Sequence, residues 1–142
     1  MSLLDRVRAL FGRAQPEPLS PDDPALVVVA ENFDPSRAAS TVLADSPGWA
    51  STDQVVLRHV LLLPADRVDE AAGLIGQDGY ELRGPVAGQD GPLPGYHAVR
   101  TQVVTPLDCS REHSRMASLA QRLGGDAPGW QLMQPRPEPP AG

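Results

Sequence analysis

"QVVLRHVLLLPADRVDEAAGLIGQDGYELRGPV", residues 54–86, decides the fold. Residues 54–64 are apolar at odd and even positions alike, the pattern of a central strand covered on much of both faces. The period changes over residues 65–79. Val68, Ala71, Ala72 and Ile75 recur at helical spacing, and Asp66, Asp69 and Glu70 open the run, where the helix dipole favours acids. Gly76 and Gly79 end it. Residues 80–86 return to a strand pattern, which completes a βαβ unit.

A second unit follows the loop at residues 87–95. In "YHAVRTQVV", residues 96–104, His97, Val99, Thr101 and Val103 point one way, and Tyr96, Ala98, Arg100 and Gln102 the other. "TPLD", residues 105–108, is a helix start: Thr105 caps, Pro106 takes the first position and Asp108 stands where a capping-box acid stands. The helix runs to Leu123, with Met116, Leu119, Ala120 and Leu123 facing inward, and "DAPGWQLMQ" (126–134) returns as a last, edge strand. The order β-α-β-β-α-β predicts an α+β protein, a ferredoxin-like antiparallel sheet with helices on one face.

Working outward, "ALVVVAE", residues 25–31, is a short β-branched strand candidate. The helix expected after it starts at Asp34 as cap and Pro35 as first residue, and ends before Pro-Gly-Trp49. The same tripeptide ends in Trp130. Both tryptophans read as apolar anchors where a helix hands the chain back to the sheet. The expected organisation is an amphipathic helix (1–14), a proline-rich solvated linker (15–24), a strand–helix addition (25–53), the ferredoxin-like domain (54–134) and a disordered proline-rich tail (135–142). The first segment places Leu3, Leu4, Val7, Leu10 and Phe11 on one face, which suits docking on this protein, a partner or a membrane surface.

Composition removes several functions. The 142 residues carry a formal charge of −6, and all 12 basic residues are arginine. Acidic balance opposes broad phosphate-backbone binding. Without lysine there is no Schiff-base, phosphate-loop or kinase-type lysine. Cys109 is the only cysteine, so no internal disulfide forms and a reducing cytoplasm is the expected compartment. Asp5, Arg6 and Arg8 interrupt what a signal peptide would need as an apolar run, and no stretch reaches membrane-spanning length.

The side chains with chemical promise are few. Cys109 and His113 lie four apart on one helix face, half a metal site or an activated thiol, but their stripe continues into Met116 and Ala120 and also reads as core edge. His59 and His97 fall on strands expected to be neighbours, where both can line a pocket or serve structure. The glycines at 73, 76 and 79 close a helix, whereas a phosphate fingerprint opens one. An RNA-binding sheet of this connectivity needs stacked aromatics on its open face, and only 4% of residues are aromatic. No catalytic residue, cofactor or metal is implied. The candidate partner-binding surface is Arg58, Tyr96 and Arg100 on the open sheet face, with Asp126 and Trp130 at the last strand.

Residues 55–134 resemble the family of regulators of ribonuclease activity B, the RraB-like ribonuclease E inhibitors. The likeness rests on the element order, on "GQDGYELR" and on "MASLAQRLGGDAPGWQ". Gly129 and Trp130 fit the family's acidic-aromatic turn, while Ala127 and Pro128 depart from it. The resemblance implies a non-enzymatic cytoplasmic module that binds a ribonuclease E-type nuclease by protein–protein contact. An acidic surface suits an arginine-rich partner.

Overall fold

The computed structural model describes residues 17–89 and 91–136. The segment expected as an N-terminal helix and the tail from residue 137 onward lie outside the described residues. The elements are β1 (Leu26–Asn32), α1 (Ala39–Ala44), β2 (Val55–Leu62), α2 (Val68–Gly76) after a 3-10 turn at Ala65–Arg67, β3 (Glu81–Val86), β4 (Gly95–Gln102), α3 (Pro106–Arg122) and β5 (Asp126–Pro135). The protein is α+β. Among the described residues the strands form one open antiparallel sheet in the order β1-β5-β2-β4-β3, with three helices packed on it.

Each helix joins two strands that are not neighbours, and a third strand fills the gap. β4 lies between β2 and β3, β2 between β4 and β5, and β5 between β1 and β2. The N-terminal addition therefore joins the main sheet, as a strand on β5. This corrects the edge placement expected for the last strand, because β5 is interior. Pro128 survives there because the ladder slips around it: Val60 pairs with Gly129 and Leu62 with Asp126, so three steps on β5 face two on β2.

The odd residues of β2 face the helices. Val55, Leu57, His59 and Leu61 are fully buried, and the apolar members pack with Val42 and Leu43 of α1, Ala71 and Ile75 of α2, and Cys109, Met116 and Ala120 of α3. Trp130 stands beside His59 on this face, 2% exposed. Only Trp49 occupies a helix-to-strand return, half-buried against the same core. Trp130 lies mid-strand, so the two tryptophans do different work.

Local chemistry sets the boundaries. The expected capping box of α3 is present: Asp108 N donates to Thr105 Oγ1 at 3.1 Å, and Thr105 N donates to Asp108 Oδ2 at 2.9 Å. At its other end Gly124 adopts φ +83, and a Cβ on Gly125 would overlap the Leu62 carbonyl oxygen. One glycine makes the turn and the next lets the chain pass against the end of β2. The first helix is shorter than its sequence suggests. Asp34 Oδ1 accepts from Ser36 N (2.9 Å) and Ser36 Oγ (2.6 Å), so it closes a turn, and helix begins only at Ala39.

The proline-rich stretch carries tertiary bonds over its described part. Leu19 N donates to Gln54 Oε1 (2.7 Å), Thr101 Oγ1 donates to Leu19 O (2.6 Å), and Arg83 Nη1 donates to Asp22 Oδ1 (2.6 Å). Residues 19–22 thus lie against the sheet face opposite the helices, as a strap rather than a free linker.

Candidate functional site

Strand register divides the candidate surface residues. Arg58 pairs with Val99, and Val60 with His97, so Arg58, His97, Val99 and Thr101 share the helix-free face. Tyr96 pairs with Leu61 and Arg100 with Leu57, on the helix-covered face. The expected grouping of Arg58, Tyr96 and Arg100 on one face is therefore corrected, because alternation along β4 separates them from Arg58. Asp126 is exposed at the start of β5, where its Oδ1 accepts from Ala127 N at 2.8 Å, while Trp130 is core.

On the helix-free face a polar row crosses three strands. Arg58 Nε and Nη2 donate to Gln131 Oε1 at 2.8 and 2.6 Å, and Gln131 Nε2 donates to Glu31 Oε2 at 2.9 Å. Gln131 accepts twice at Oε1 and donates once from Nε2, so it links the guanidinium on one side to the carboxylate on the other. Around it are two large exposed apolar residues, Val28 (40%) and Phe33 (45%). The Phe33 ring lies where a side chain at 129 would stand, which is why Gly129 is glycine. The strap occupies the other half of this face, over Thr101 and near Val56 and Val99, which are buried.

On the covered face a second polar cluster lies under α3. The Tyr80 hydroxyl donates to Glu112 Oε2 at 2.9 Å and stands 3.4 Å from His59 Nε2. Since that hydroxyl gives its proton to Glu112, its oxygen accepts from His59, which assigns the imidazole proton to Nε2 and leaves Nδ1 buried with no partner among the described residues. Arg100 stacks 4.3 Å from the Tyr80 ring centre, pairs with Glu112 at 3.3 Å and donates to Asp78 O at 2.7 Å. Burial, then the His113 and Arg100 charges, pushes the His59 pKa down to about 3. Burial, above all, also pushes the Tyr80 hydroxyl upward. The cluster ties α3, β4 and the α2–β3 turn together with neutral rings and one shared carboxylate.

The remaining candidates separate. His97 is on the opposite face from His59, so the two do not line a common pocket. Burial, then Arg58, lowers its pKa to about 4. Cys109 is fully buried, and its thiol is pushed up to about 12 by burial and then by Asp108, the reverse of thiol activation. His113 instead borders a cleft of about 420 Å³ between the 32–38 loop and α3, with Asn32, Arg37, Ser110 and Ser114; its Nδ1 is buried without a partner among the described residues. Burial lowers its pKa, and Asp126 works the other way. Among the described residues no three His, Cys, Asp or Glu side chains converge as metal ligands, and no helix is long and apolar enough to cross a membrane.

Sequence reasoning missed Glu112 and the Arg58–Gln131–Glu31 row. The signal for Glu112 is its place on the inner stripe of α3, three residues after Cys109 and four before Met116. The row had no signal, because it depends on β1 and β5 becoming neighbours. Comparison with known proteins finds no matching family model, no matching curated protein and no matching solved structure.

Proposed function

We propose that this chain is a non-catalytic protein-binding module with a ferredoxin-like core of the RraB kind, acting in the cytoplasm to restrain a ribonuclease E-type nuclease by contact. The observation that carries the reading is the helix-free patch on β1, β5 and β2, where Val28 and Phe33 flank the Arg58–Gln131–Glu31 row. Two exposed apolar side chains beside an ordered polar row make a mixed surface of the composition that a non-obligate protein interface has. The order β5-β2-β4-β3 supports the ferredoxin-like assignment of the core. The formal charge of −6 suits a partner rich in arginine. The buried thiol and the neutral, buried His59 supply no solvent-facing nucleophile–base pair. Tyr96, the aromatic that an RNA-binding sheet would use, lies on the covered face and is 7% exposed.

The test is RNA cleavage by a purified ribonuclease E-type nuclease, with and without the chain. The wild type slows cleavage, and Phe33→Glu with Arg58→Glu restores it while the fold persists by circular dichroism. Cleavage unaffected by the wild type removes the nuclease assignment. Inhibition that survives both substitutions removes the patch. The His113 cleft favours a second reading, a small polar ligand held by imidazole and serine hydroxyls. A thermal upshift with such a ligand, lost in His113→Ala, would select it over the first.

A further inference from the structure

At one end of the helix-free face, where β2 begins and β4 and β5 end, lies a groove of about 680 Å³. Pro18, Leu19, Val103 and Pro135 form its apolar surface, and Glu17 and Asp53 supply its charge. Val103 is 52% exposed there, although the alternation of β4 carries it onto the same face as the buried Val99. A half-covered valine beside two carboxylates suits a segment with apolar residues on one side and cations on the other.

The sequence contains one such segment. Residues 2–13 place Leu3, Leu4, Val7, Leu10 and Phe11 at helical spacing, with Arg6, Arg8 and Arg13 against Asp5, a balance of +2. These residues lie outside the described ones, but the described chain begins at Glu17, on the groove itself. Residues 14–16 reach about 10 Å when extended, and a 12-residue helix is about 18 Å long, so no long loop has to close. Tethering at that range gives an effective concentration in the millimolar range, enough to hold a weakly binding segment.

We propose that the chain's own residues 2–13 dock in this groove, apolar face down, with their arginines toward Glu17 and Asp53. The docked segment covers Val103 and extends the strap begun by residues 19–22. The assignment is independent of the nuclease reading, because it needs no partner.

Cross-linking in the full chain tests it, since the buried Cys109 stays silent. Val7→Cys with Thr52→Cys is compared with Val7→Cys and Asp69→Cys, a control position on α2 across the sheet. The first pair forms its intramolecular disulfide about tenfold faster or more, and adding Val103→Glu removes the advantage. Equal rates for the two pairs overturn the proposal, and so does a disulfide that forms between chains, which would make the occupant a second copy. Sedimentation with phosphatidylcholine–phosphatidylglycerol vesicles gives a second readout. Val103→Glu releases the segment and raises vesicle binding at least threefold, whereas vesicle binding equal to that of the wild type contradicts docking.

Discussion

Replacing His59 by leucine should make this protein less sensitive to acid. His59 is fully buried between Leu57 and Leu61, and its pKa is held at about 3 against an ordinary value near 6.5. A depressed histidine binds its proton in the unfolded chain and not in the folded one. Stability is therefore intact above pH 6.5 and falls as pH drops toward 3. One such proton tilts the balance by up to about 1.4 kcal/mol per pH unit below pH 6.5, so His59 alone removes about 2 kcal/mol between pH 7.5 and pH 5. His97 and His113, also held below the ordinary range, act with the same sign and remain in the variant. Leucine fills much of the ring's volume, removes the unpartnered Nδ1 and leaves the Tyr80–Glu112 bond in place. At pH 7.5 the variant should lie within about 1.5 kcal/mol of the wild type. At pH 5 the difference should have moved by about 2 kcal/mol in its favour. Urea titrations at pH 7.5, 6.5 and 5.0, followed by tryptophan fluorescence, measure this directly. Parallel pH dependences for the two proteins would refute a buried, neutral His59.

Three further outcomes follow from the packing. Gly125→Ala puts a Cβ against the Leu62 carbonyl and should cost roughly 2–4 kcal/mol by denaturant midpoint; a loss below about 1 kcal/mol would mean the α3–β5 turn is looser than described. Thr105→Ala removes the reciprocal cap of α3 and should cost about 1 kcal/mol, with Thr105→Ser recovering most of it. Cys109 should resist a thiol reagent at pH 8 in the native protein and react at the rate of a free thiol in urea. Rapid native modification would contradict its burial and its pKa near 12.

Much of the architecture is legible along the chain because its elements carry local signals. The β2 run, the Thr105–Asp108 cap and the two glycines after α3 each depend on neighbours within a few residues. The alternation of 96–104 also separates Tyr96 and Arg100 from His97 and Val99 correctly. What alternation leaves open is the absolute face. Placing Arg58 with Arg100 required knowing which parity of β2 meets which parity of β4, and that is a property of register. The start of α1 was misread for a related reason: Asp34 and Pro35 are good helix openers, but the same carboxylate closes a turn with Ser36 when the chain must first clear the end of the sheet.

By itself, the sequence determined the kinds of element and their order, the absence of lysine and of an internal disulfide, and the apolar stripe of each helix, since all of these are matters of composition and short-range period. Only the tertiary structure decided that β5 is interior, that β1 completes the sheet beside it, that a proline-rich stretch straps the helix-free face, and that Glu31, Gln131 and Arg58 form one row. Residues 31 and 131 are a hundred positions apart, and no local pattern records such a pairing; the hydrogen-bond ladder that closes β1 against β5 brings them within bonding distance.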